Sequence, residues 1–204
     1  MLNDAQRSQL EDLYVEYQQE IKLLMFYVES KYHRFPRGLL KEFRDVFDHI
    51  SRCYVDDATD EHINENITKA HNHFNRIKLD TYKYLHDYKS RDYDRWKCKY
   101  GRYDLERIHD GKMWKQILEY EKMAETYFDM ARKSESISVS EACDCLQESV
   151  RNYECIKKEI DENLDYIVRI KRRNYFISFV NQIPGFILGI IASLIATHIG
   201  QLMH

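Results

Sequence analysis

Every Asp, Glu, Lys and Arg of this 204-residue chain lies within residues 1–173, and none occurs from Asn174 to His204. Such segregation prescribes two different solvents for one polypeptide: water around the first part, an apolar medium around the second. The charged part is nearly balanced, 31 Lys+Arg against 34 Asp+Glu, which excludes a strongly basic nucleic-acid module. Only 6 Gly and 2 Pro are present, too few for a set of β-hairpins or for a Rossmann-type phosphate loop. The fold class is therefore all-α, an elongated antiparallel helical bundle over 1–173 followed by a hydrophobic helix over 174–204.

Apolar spacings of three and four place the helices. Leu10, Tyr14, Tyr17, Ile21, Leu24 and Val28 mark a first helix from Asp4 to about Tyr32. Pro36 and Gly38 break the chain, and Leu40, Phe43, Phe47, Ile50 and Tyr54 mark a second helix. A turn at Asp56–Asp60 leads into a third, expected to reach about Lys89, while the register from Arg91 to Arg107 is unclear. Trp114 to Lys133 forms a fourth, and Ser140 is expected to cap a fifth that extends through Ile167. Cys53, Cys98, Cys143, Cys145 and Cys155 contain no C-x-x-C pair, so reduced thiols rather than a disulfide framework or zinc knuckle are expected. The amphipathic, acidic N-terminus has no secretory apolar core.

In the charge-free tail, Ile183–Ile199 rises about 26 Å as a helix, close to the ~30 Å of bilayer hydrocarbon. Arg169, Lys171, Arg172 and Arg173 at its edge predict a single-pass membrane protein with the N-terminal domain cytoplasmic. Gly185, Gly189, Ser193 and Thr197 recur every fourth residue, a small-residue line suited to helix self-association among lipids. An interfacial helix or a docked hydrophobic hairpin is the alternative, because Ser178, Asn181 and Pro184 interrupt the first half.

The second helix carries Lys41-Glu-Phe-Arg44-Asp45-Val-Phe-Asp48-His49-Ile-Ser-Arg52. At these residues the chain resembles the HEPN superfamily, helical domains whose ribonuclease members set an Arg four to six residues before a His, commonly with Asn, His or Asp directly after the Arg. As a helix pattern the resemblance covers residues 10–133, and only the second helix carries the motif. It implies a protein of a bacterial-type defence or stress system, anchored in the membrane by the tail described above, acting as a metal-independent endoribonuclease whose site is completed across a dimer. His49 would exchange protons, Arg44 would hold the phosphate, and Asp45, one turn before His49, would orient its imidazole. No metal or cofactor is called for. Arg44 and His49 stand about 140° apart around an ideal helix, so one helix does not aim both at one phosphate. The implied partners are a second copy of the chain in a dimer or larger ring, membrane lipid, RNA, and a CRISPR-type or other defence-system protein.

A second candidate surface runs from Lys89 to Arg107, where Arg95, Lys97, Lys99 and Arg102 interleave with Trp96 and neighbouring tyrosines. Cations there would meet RNA phosphates and the rings would stack on bases, although Asp92, Asp94, Asp104 and Glu106 also suit a solvated face or a contact between copies. Arg44 and His49 also admit a purely structural reading, with Arg44 paired to Asp48 and His49 filling a seam between helices. The alternative function is then an oligomeric membrane pore or membrane-disrupting effector, or a tail-anchored scaffold, in which the helical domain drives assembly. His71 and His73 suit a surface or seam.

Overall fold

A computed structural model describes residues 2–32, 35–101 and 103–202, and among them every regular element is helical. The first is α1 (Asp4–Glu16), which passes through a π-helical turn (Tyr17–Ile21) into α2 (Lys22–Tyr32). Asn3 caps α1 reciprocally with Gln6, and the Gln6 amide nitrogen donates to Asp60 and Asn64, both at 3.2 Å. Pro36 precedes α3 (Arg37–Arg52), and Thr59, accepting the His62 N–H at 3.2 Å, caps α4 (Asp60–Tyr100). A 3-10 segment (Leu105–Gly111) leads to α5 (Lys112–Ser134), α6 (Val139–Glu162) and α7 (Leu164–Leu202).

Several boundaries differ from those the spacing predicts. The third helix does not stop near Lys89; α4 continues for 41 residues to Gly101, because Tyr93, Trp96 and Tyr100 recur at helical spacing and pack against the α5–α6 side. The alternating charges around them mask that period in the sequence. Ser138, not Ser140, caps α6, its hydroxyl accepting the Glu141 N–H at 3.3 Å. Ile167 belongs to α7, since Asn163 ends α6 and folds its side-chain amide back onto the Glu159 carbonyl at 2.9 Å. His109, Asp110 and Gly111 all have positive φ in the turn before α5, where Gly111 (φ 82°) takes the left-handed geometry without a Cβ.

Burial divides along α4. Its first half closes a core with α1 to α3, from Leu10 and Leu39 through Val46 and Ile63 to Ile77. Its last turns close another with α5, α6 and the start of α7, built on Tyr93, Ile117, Ala124, Ile156 and Ile167. Between them, Leu79 packs with Ala131 and Leu146, and Leu85 with Val28 and Val150.

The single-pass expectation is corrected: among the described residues no helix is long and apolar enough to cross a membrane. The helix that carries the tail begins at Leu164 and holds Asp165, Arg169 and Lys171 to Arg173, and its next turns hold Asn174, Ser178, Asn181 and Gln182. Those polar groups keep the first turns of the helix out of an apolar medium. There is also no break at 173/174, as α7 passes straight through it. Gly185 and Gly189 have no atom within 4 Å of where a Cβ would stand, and Ser193 is exposed; the side chain of Thr197 lies outside the described residues.

One buried histidine gives the fold a pH dependence. The His86 Nδ1–H donates to Ser149 Oγ at 2.9 Å, Ser149 in turn donates to the Ala124 carbonyl at 2.7 Å, and the ring stacks on Phe128 with centroids 3.9 Å apart. Burial lowers its pKa from the usual 6.5. The unfolded chain therefore takes up the extra proton first, so this contribution is intact above about pH 6.5 and is lost progressively below it. Urea titrations from pH 7.5 to 5 should show stability falling with pH, and His86→Asn, which keeps a donor to Ser149, should flatten that slope.

Candidate functional site

Between α3 and α4, beside the apolar stripe of Leu39, Val46 and Ile50, runs a line of polar side chains. Glu42, Asp45 and His49 recur at i, i+3 and i+7 and so share one side of α3; His62, Asn66 and His73 occupy the matching side of α4. The His49 Nδ1 lies 2.9 Å from Asn66 Oδ1. Asn66 is 2% exposed, and its amide nitrogen meets the His62 carbonyl at 2.8 Å and His62 Nε2 at 3.2 Å. His73 Nδ1 meets Glu42 Oε2 at 2.7 Å, and the His49 and His73 rings stack with centroids 5.2 Å apart and planes at 22°.

This network assigns the tautomers. A carboxylate can only accept, so His73 carries its proton on Nδ1; with the Asn66 amide donating to His62, Asn66 Oδ1 accepts from His49 Nδ1–H. Both rings therefore direct Nε2 away from their anchors, and neither Nε2 has a hydrogen-bond partner among the described residues. Two adjacent imidazoles held by different partners can pass protons to and from a bound substrate.

Of the three residues in the second-helix motif, His49 sits in the seam, and its orienting hydrogen bond comes from Asn66. Asp45 instead accepts from the Arg44 Nη2 at 2.7 Å and Nε at 3.1 Å, and the guanidinium holds its carboxyl below the usual range. Arg44 is exposed and is held through this pairing with Asp45, which shares a side of α3 with His49. Arg52, not Arg44, pairs with Asp48, at 2.6 Å. Asn66, His62 and Glu42 escaped sequence reasoning, and His73 was expected only at a surface or seam. Their signal lies in two helical faces that become one site only when α3 and α4 are paired in this register.

The second candidate surface is split. Lys97 is committed to Glu121 at 2.6 Å and Arg95 to Asp92 at 3.3 Å, while Lys99 lies over the Tyr100 ring. Trp96 packs among Tyr93, Tyr100 and Trp114, with its indole N–H buried and without an acceptor among the described residues. Burial raises the Tyr93 phenol strongly and pushes Tyr153 up to about 12, so both remain neutral. Arg102 lies outside the described residues.

Among the described residues no group of three or more His, Cys, Asp or Glu is arranged to hold a metal ion. Compared with known family models, with curated proteins and with solved structures, the chain has no match. The expected membership of the HEPN superfamily, fused to a transmembrane helix, is thereby corrected. One match to an Arg four to six residues before a His arises readily in a chain this rich in Arg and His, and Arg102 and His109, six residues between them, supply another.

The hydrogen bonds of Asn66 set the rigidity of the seam. Asn66→Ala leaves the His49 Nδ1–H without its acceptor and His62 Nε2 without its donor, and should destabilise the fold by about 1–3 kcal/mol, read from urea denaturation midpoints.

Proposed function

We propose that the α3–α4 seam is the proton-transfer site of an RNA-cleaving protein that works without a metal. The observation that carries this reading is the His49–His73 pair, stacked at 5.2 Å with each Nδ1 anchored and each Nε2 left for exchange. Cleavage by the RNA strand itself needs two proton transfers. The 2′-oxygen attacks the adjacent phosphorus and gives its proton to one imidazole; the P–O5′ bond breaks, and the 5′-oxygen takes a proton from the other. Products are a 2′,3′-cyclic phosphate and a 5′-hydroxyl. His49 and His73 supply the two imidazoles, one as acceptor of the 2′-hydroxyl proton and the other as donor to the leaving 5′-oxygen. Arg44, paired with Asp45 on the same helix as His49, supplies the exposed cation for the phosphate.

Incubation with a fluorescent single-stranded RNA in the presence of a chelator tests this. Wild type should yield cyclic-phosphate ends, His49→Ala and His73→Ala should each slow cleavage by about 100-fold or more, and a 2′-deoxy residue at the cut position should resist. Equal rates for wild type and both histidine variants, or no cleavage by wild type, remove the assignment.

A separate observation favours self-association as a second role. Phe176 is 68% exposed, Phe179 65%, Phe186 71% and Leu188 66%, on a helix that meets α6, the 3-10 segment and Tyr100 of α4. Such a concentration of apolar surface is characteristic of an interface, and the open Cβ positions of Gly185 and Gly189 allow another helix to approach closely. The purified full chain should be oligomeric by sedimentation velocity, and Phe179→Glu with Phe186→Glu should shift it to a monomer; a wild type that sediments as a monomer discards this role.

A further inference from the structure

At the far end of α4 from the histidine seam, a cavity of about 290 Å³ opens between α4 and α6. Its walls are Tyr93, Trp96 and Tyr100 from α4 and Tyr153 with Ile156 and Ile160 from α6. Four aromatic residues on one small cavity provide flat surfaces against which a planar ring can stack. The charges around it are uneven. Lys89 is committed to Glu154 at 2.9 Å and Arg95 to Asp92 at 3.3 Å, but Lys99 and Lys157, both exposed and both lining the cavity, have no ion-pair partner among the described residues. A third ammonium, that of Lys171 on α7, approaches the same Tyr100 ring at 5.2 Å that Lys99 approaches at 5.1 Å. Together these ammonium groups make the surroundings of Tyr100 cationic, which favours an anionic ligand there. Asp161, also in the lining and without an ion-pair partner among the described residues, offers an acceptor for hydroxyl or amino groups.

We propose that this cavity binds a nucleotide unit: the base stacks on the Trp96–Tyr100 wall, the phosphate is taken by Lys99 and Lys157, and Asp161 accepts from the ribose or base. Free mononucleotides and one residue of a single-stranded RNA both present this chemistry. The volume accommodates one such unit and not a duplex. Residues 66 and 93 are about 40 Å apart along α4 at 1.5 Å per residue, so the cavity is a site separate from the seam, and nothing in the proposal depends on cleavage.

The chain has two tryptophans, Trp96 and Trp114, so Trp114→Phe leaves Trp96 as the reporter. Its fluorescence should be quenched saturably by AMP or by an eight-residue oligoadenylate, and more weakly by adenosine. Inorganic phosphate should compete only at concentrations at least tenfold higher. Tighter binding of the oligomer than of AMP assigns the site to a strand, and equal or weaker binding assigns it to a free nucleotide; either supports the proposal. Lys99→Ala and Lys157→Ala, at exposed positions, should each weaken nucleotide binding at least tenfold while leaving adenosine binding and the circular-dichroism spectrum unchanged, and His49→Ala should leave the titration unchanged. The absence of saturable quenching by both AMP and the oligomer, or competition by inorganic phosphate as strong as by AMP, overturns it.

Discussion

One helix longer than either hydrophobic core has to serve both of them, and the remaining packing follows from that. At 41 residues α4 is about 60 Å long, so no single cluster of side chains can cover its apolar face. Near its N-terminus Ile63, Ile67, Ala70 and Phe74 turn toward α1 and α3; near its C-terminus Tyr93 and Trp96 turn toward α5 and α6. The middle adds polar joints to the packing of Leu79 and Leu85. Lys89 Nζ and the Tyr27 hydroxyl both donate to the same Glu154 oxygen, at 2.9 and 2.8 Å, which ties α2, α4 and α6 at one point. Lys78, three turns earlier, pairs with Glu16 at 2.7 Å. Screened surface pairs contribute little, but these lysines are only 10% and 17% exposed, and burial makes their hydrogen bonds specific in geometry.

The same rod explains why the two candidate sites are so different. Beside the first core, α3 and α4 meet through polar groups that must be satisfied as they leave water, and every donor of the Asn66 amide is used. The Nε2 atoms of His49 and His73 have no hydrogen-bond partner among the described residues. Beside the second core, rings rather than imidazoles line the contact. Tyr93 satisfies its hydroxyl on Glu121 at 2.9 Å and so presents an apolar face to the cavity, while the lysines remain at the rim, where their long stems keep the charge in water.

Beyond both cores, α7 has little to pack against. Its first turns bury Ile167 and place Lys171 over Tyr100, and its later turns expose phenylalanines. Sequence reasoning assigns lipid to that surface from the absence of charge, yet the described helix is not apolar over a span long enough to cross a bilayer. Absence of charge is a weaker property than continuous hydrophobicity: Asn174, Ser178, Asn181 and Gln182 are uncharged and still demand hydrogen-bond partners.

Helix positions are legible in the chain because the three-and-four period and the caps are local physics. Asp4 to Tyr32 is helical as the spacing expects, with a π-turn inserted, and Pro36 ends one helix and opens the next. Where aromatic residues alternate with charges, from Arg91 onward, the period is real but hidden by composition, and only burial against α5 and α6 reveals it. His49 stands out in the sequence alone, but its partners do not, because Asn66 and His73 are 17 and 24 residues away on another helix, and no local rule fixes which turn of α4 faces which turn of α3. By itself, then, the sequence determined that the chain is helical, where most helices begin, and that its charge stops at Arg173. The tertiary structure decided which polar faces meet, since pairing of distant helices depends on the summed fit of many side chains rather than on any one residue's neighbours.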